Sequence, residues 1–157
     1  MNEDIVKEQV VGRLSGKGAH APTSAALEGV PFDKLGIIPK GSDYSIYQLA
    51  WHLILEQSEM IAYSKDTNHK GPKWPHGYWP KNSAPESEEE WNSLVKQFKE
   101  DNKTFIEMIS KGNLTDELPG KVGTGHTLIR QALITADHTS YHTGQIILLR
   151  KILDCWD

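Results

Sequence analysis

Two histidines one helical turn apart, His138 and His142, lie in the run Asp137-His138-Thr139-Ser140-Tyr141-His142-Thr143-Gly144-Gln145 near the end of the chain. At about 100° per residue, such a pair projects from one side of a helix, about 40° apart. That side also carries Ile134, Tyr141, Leu149 and Ile152, whereas Ala136, Ser140, Gly144 and Lys151 fall elsewhere. The imidazoles are therefore expected along an apolar stripe turned toward an interior. Burying two imidazoles is costly unless their nitrogens find partners, and a metal ion satisfies two at once. Two ligands one turn apart form half of a zinc-type site. By itself the pair also reads as two core or surface histidines hydrogen-bonded to neighbours, because a short motif often matches by chance.

The candidate third ligand is His52, in Tyr47-Gln48-Leu49-Ala50-Trp51-His52-Leu53, with Gln48, Glu56 and Glu59 on nearly the same helical face. That polar strip is either the solvated side of a helix or the lining of an interior site in which Glu56 supports a ligated imidazole. His20, His69, His76 and His126 fall in loops or at helix edges and read as solvent-facing, with His20 and His126 the nearest of them to such a site. Three neutral imidazoles leave a divalent ion with an open position, which allows activation of water for hydrolysis or of a thiol as nucleophile. In either chemistry Glu56 or Tyr141 is placed to orient water or ligand, and Arg130 or Gln145 to hold a polar substrate group. The single cysteine, Cys155, has no activating neighbours in sequence and reads as an idle thiol.

The elements that must position these residues are helical. Ile5, Val6, Val10, Val11 and Leu14 mark a helix over Glu3–Leu14, stopped by Gly16 and Gly18. Pro22 starts a short helical piece over Thr23–Leu27, and Pro31, Gly36, Pro39 and Gly41 make 31–43 an irregular connector. A long helix follows over about 45–64, with Ile46, Leu49, Ala50, Leu53, Met60 and Ile61 inside. The prolines of 66–87 forbid a helix there, and the same loop concentrates Trp74, Tyr78 and Trp79. This aromatic segment reads either as a lid over a site or as packing or a dimer contact. Ser87 with Glu88, Glu89 and Glu90 reads as a helix start with a capping box, leading to about Ser110 with Trp91, Leu94, Val95, Phe98, Phe105, Ile106 and Ile109 inside. The Gly-rich stretch Leu118–Gly125 reads as extended, and a last helix runs from Thr127 to about Leu153. With no repeats and little strand signal, the chain reads as an all-α four-helix bundle with long connectors, one domain over 1–157.

Composition narrows the function further. At 157 residues, 38% hydrophobic and 24% charged, the chain suits an ordinary soluble domain. A net charge of −4 argues against a nucleic-acid surface, because phosphate contacts come mainly from Lys and Arg. No apolar run reaches the roughly 20 residues of a membrane span. The acidic N-terminus, unlike a signal peptide, and the lone cysteine point to a cytoplasmic location. Pairing into a homodimer through an exposed helix face fits the same pattern.

The run Ser45-Ile46-Tyr47-Gln48-Leu49-Ala50-Trp51-His52, followed far downstream by Asp137-His138-Thr139-Ser140-Tyr141-His142-Thr143-Gly144-Gln145-Ile146, resembles the DinB/YfiT-like metalloenzymes. That family is unrelated to the DNA polymerase sharing the DinB name. The resemblance covers nearly the whole chain. It implies a four-helix bundle and a divalent metal held by His52, His138 and His142. Zinc stands first on abundance, with nickel or iron as alternatives. It also implies thiol-dependent transfer on a small-molecule substrate, with a low-molecular-weight thiol as co-substrate. Metal-dependent hydrolysis, or a non-catalytic metal-binding stress module, are the other readings. A fourth protein ligand, such as Glu56 or His20, would favour the non-catalytic one.

Overall fold

Apolar spacing and caps place the helices close to where the sequence puts them. The computed structural model describes residues 2–156, so Met1 at the head of the acidic N-terminus and Asp157 lie outside the described range. Five helices follow in order: α1 (Glu3–Leu14), α2 (Thr23–Leu27), α3 (Ile46–Lys65), α4 (Glu88–Lys111) and α5 (Leu128–Ile152). Short 3-10 turns occur at Phe32–Lys34 and His76–Tyr78. No strand forms among the described residues, and none of their helices is long and apolar enough to cross a membrane.

The capping box forms at a different helix from the one expected. Ser87 Oγ accepts the Glu90 backbone N–H, but the Glu90 carboxylate turns away to the Glu86 N–H and the Tyr47 hydroxyl, 2.6 Å from each. The reciprocal box closes instead at the start of α3, where Ser45 Oγ accepts Gln48 N–H and Gln48 Oε1 accepts Ser45 N–H, both at 3.1 Å. Two backbone donors at the head of the helix that carries His52 are thereby satisfied. The Leu118–Gly125 stretch is turns rather than strand. A single bridge pairs Glu117 with Thr127, and the Glu117 carboxylate accepts the Gly123 and Gly125 N–H groups at 2.7 and 2.6 Å.

α3 and α5 run antiparallel, since His52 meets His138 at one level and Tyr63 meets His126 at the other. One core cluster joins Leu27, Leu35, Ile46, Leu53, Trp91, Phe98 and Ile146 across α2, α3, α4 and α5. The other gathers Ile61, Phe105, Ile109, Leu114 and Leu128, against which α1 lays Val6, Val10 and Leu14. Arg150 is buried, and its guanidinium donates to the carbonyls of Ala25, Ala26, Glu28 and Cys155 at 2.8–3.0 Å. A buried cation is tolerated there because the carbonyls ending α2 face it.

The buried arc of α5 runs through Leu128, Gln131, Ala132, Thr135, His142, Thr143, Ile146, Leu149 and Arg150, centred about 80° around the helix from His138. Tyr141 and Ile152, expected inside with the histidine pair, are 63% and 53% exposed. The reason is that α5 packs on α3 along one flank and on α1, α2 and α4 along the other. That enclosure rotates the interior face away from Tyr141 and leaves the histidines at its edge.

Candidate metal centre

α3 contributes His52 and α5 contributes His138 and His142, and the three imidazoles converge. Each offers a nitrogen within 4.8 Å of the others. The ring centroids lie 4.4–4.9 Å apart, all steeply inclined to one another. The Nε2 atoms of His52 and His138 are 3.1 Å apart. Two nitrogens about 2.0–2.1 Å from one tetrahedral ion would be separated by about 3.3 Å, so this spacing fits shared ligation. No thiol or carboxylate joins the group among the described residues. Neither Glu56 nor His20, the candidates to close the shell, is part of it.

Two of the three nitrogens facing away are already committed. His52 Nδ1–H donates to the Tyr78 carbonyl at 2.8 Å, and His142 Nδ1–H donates to Gln145 Oε1 at 2.7 Å. Each bond fixes the tautomer and turns an Nε2 lone pair inward, as ligating histidines require. Burial holds all three imidazoles below their usual pKa, with the Tyr78 and Gln145 bonds partly opposing it for His52 and His142. His138 is pushed down to about 4, by burial first and then by the neighbouring His142 and His52. Neutral imidazoles at pH 7 are the form that binds a metal. By donor chemistry and geometry, the cluster is suited to a divalent ion.

The aromatic loop is part of this centre. Trp79 stacks face to face on His52, at 4.1 Å between centroids, and on Tyr44 at 4.0 Å, making a three-ring layer behind the imidazole. Tyr78 supplies the carbonyl under His52, while Trp74 is 68% exposed at the Tyr78 edge. Packing against His52 therefore accounts for Trp79 and the Tyr78 backbone, while Trp74 lies 5.5 Å from the Tyr78 ring.

One turn along α3 from His52, Glu56 borders both a cavity beside His138 and a larger cleft. Burial raises its carboxyl pKa, and Glu59 adds to the rise. The cavity, of about 10 Å³, is walled also by Leu53, Gln57, Thr135 and Thr139, a size suited to one water. The cleft, of about 430 Å³, holds Arg130, Gln131 and Tyr78, with the bonded pairs Glu59–His69 (2.8 Å) and Tyr63–His126 (2.6 Å). His69, expected to face solvent, lies here instead. Level with this region, the side-chain amides of Gln57 and Gln131 and the hydroxyl of Thr135 are buried with no protein partner. Buried polar groups are normally satisfied, so these atoms would take water as their partner.

The remaining candidates separate. Tyr141 packs edge-on against His142, at 4.9 Å between centroids. Arg130 faces the cleft, whereas Gln145 is spent on His142 rather than free for substrate. His126 reaches the cleft through Tyr63, and His20 sits away from the centre, bonded to Arg13 and Ser140. Glu56 makes no hydrogen bond to an imidazole; Tyr78 and Gln145 occupy those places. The role of Gln145 had a signal in sequence, three residues after His142 on one helix face. The Tyr78 carbonyl and the Trp79 stack had none, because a loop backbone declares no partner.

A family profile described as the DinB superfamily matches residues 17–146, most of the chain and all three histidines. Neither the curated proteins nor the solved structures yield a match.

Proposed function

This chain belongs to the DinB superfamily, and on that premise we propose that it is a metal-dependent enzyme acting on a small molecule, with thiol-dependent S-transfer as its reaction class. The observation that carries the proposal is the unfinished ligand set. Three imidazoles, two of them held by outward hydrogen bonds, converge without a fourth protein ligand among the described residues, and Glu56, one turn from His52, borders a cleft. A structural zinc site is normally closed by four protein ligands. An ion held there supplies a Lewis-acid position that lowers the pKa of a bound thiol or water. Zinc is the first choice on abundance, with nickel or iron accepted by the same donors.

The chain's own residues divide the remaining tasks. Glu56, whose carboxyl pKa is raised by burial, receives the proton released by the nucleophile. Arg130 lines the cleft without a carboxylate partner among the described residues and suits an anionic group on the substrate. Tyr141 braces His142 from outside, and Trp79 excludes water behind His52.

A second reading, hydrolysis, draws on the water-sized cavity that touches both His138 and Glu56. The two readings part on the need for thiol. The deciding experiment is elemental analysis of purified protein beside His138→Ala, followed by turnover of small electrophiles with and without a low-molecular-weight thiol. About one equivalent of metal is expected, lost in the variant while helical circular dichroism persists. Absence of metal after incubation with zinc or nickel overturns the enzyme and the metal site together. Metal without turnover of either kind leaves a non-catalytic binding module.

A further inference from the structure

We propose that a recess on the other flank of α5, enclosed by the end of α1, the start of α2 and α4, binds a small oxyanion through Arg13. The recess holds about 170 Å³ and is lined by Arg13, His20, Ser24, Lys99, Thr135 and Ser140 among others, with no Asp or Glu in its wall. On a chain of net charge −4, a cavity with two cations and no carboxylate is an exception. Lys99 at its edge is paired with Glu28 at 2.7 Å. Arg13 has no ion-pair partner among the described residues, and its one side-chain partner is His20 Nε2 at 2.8 Å.

That partner does not neutralise the guanidinium. His20 Nδ1–H donates to the Ala21 carbonyl at 2.9 Å, which leaves Nε2 as an acceptor, shared with Ser140 Oγ at 2.9 Å. The bond orients Arg13 and leaves its charge and other N–H groups for a ligand. A planar fork of donors matches the oxygens of a phosphate or carboxylate group. Deeper in the wall, Thr135 borders both this recess and the water-sized cavity beside His138. Thr135 is 5% exposed and its hydroxyl has no partner. Buried hydroxyls are ordinarily hydrogen-bonded, and a water on either side would complete this one.

Gly18 offers a clean handle on the site. A Cβ at this position would run into Arg13 Nη1. Gly18 is not in the left-handed region, so alanine suits its backbone, and only the flexible end of Arg13 stands in the way. Gly18→Ala therefore displaces the guanidinium while keeping its charge and the fold.

The test titrates metal-loaded protein with inorganic phosphate and, separately, acetate at constant ionic strength, followed by amide chemical shifts. Saturable shifts confined to the recess are expected with at least one probe, and the tighter probe tells a phosphate group from a carboxylate. Gly18→Ala and Arg13→Gln should each weaken binding about tenfold or more, about 1.4 kcal/mol. Three results overturn the proposal: no saturable shift with either probe, unchanged affinity in both variants, or binding lost in His138→Ala but kept in Gly18→Ala. The last would place the anion at the histidine centre.

Discussion

Gln145→Ala isolates the hydrogen bond that turns His142 toward its neighbours. Gln145 Oε1 accepts His142 Nδ1–H at 2.7 Å, and His142 is buried. Without that acceptor the ring is free to rotate or change tautomer, and the Nε2 lone pair is no longer fixed. A neutral hydrogen bond contributes about 0.5–1.5 kcal/mol net, whereas loss of a partner to a ligating imidazole typically costs about 10–100-fold in metal affinity, or about 1.4–2.7 kcal/mol. Gln145 is only half-buried, so water can replace part of the bond. The lower end, about tenfold, is expected. Alanine favours the helix, so α5 should stay intact by circular dichroism. The assay is competition for zinc against a chromogenic chelator at pH 7. Gln145→Glu keeps an acceptor and adds negative charge, so it should bind at least as tightly as the native protein. An alanine variant of native affinity, or a glutamate variant as weak as alanine, would refute the orienting role.

Trp79→Ala removes the ring stacked on both His52 and Tyr44, so zinc affinity should fall and solvent exchange at His52 should rise. Unchanged imidazole NMR signals would count against the stack as a support. If Glu56 takes up the released proton, activity should rise with pH through a value above the ordinary carboxylate range, and Glu56→Gln should abolish that limb while leaving metal content intact. A surviving limb would assign it to another group. Backbone hydrogen bonds from Gly123 and Gly125 hold the Glu117 pKa below its usual value. The folded state then binds fewer protons than the unfolded state, so this stabilisation is complete above the ordinary carboxylate range and is lost as pH falls through the depressed value. Protection factors at Gly123 and Gly125, taken against the intrinsic exchange rate at each pH, should fall in Glu117→Gln at pH 7 and in the native protein in acid, and equal protection in all cases would disprove the tie.

Much of the frame was legible in the chain because it rests on local chemistry. Apolar spacing, Ser45, Ser87 and Thr127 at helix starts, and the prolines of 66–87 set the helices and their breaks within a residue or two. The i, i+4 spacing guaranteed that His138 and His142 share a helix side, since one helix fixes that angle. Helix spacing could not say which arc of α5 is buried. That depends on packing from both flanks, and it moved Tyr141 outward and left His138 at the margin. Nor could it decide whether the polar strip of His52 and Glu56 faces water, because a strip of the same composition is stable in either place. Only the antiparallel contact of α3 with α5 brings His52 within 3.1 Å of His138, 86 residues away along the chain. The same holds for Trp79 and the Tyr78 carbonyl. A long loop has no periodicity to declare its partners, and its backbone hydrogen bonds are assigned by the surface on which it lands.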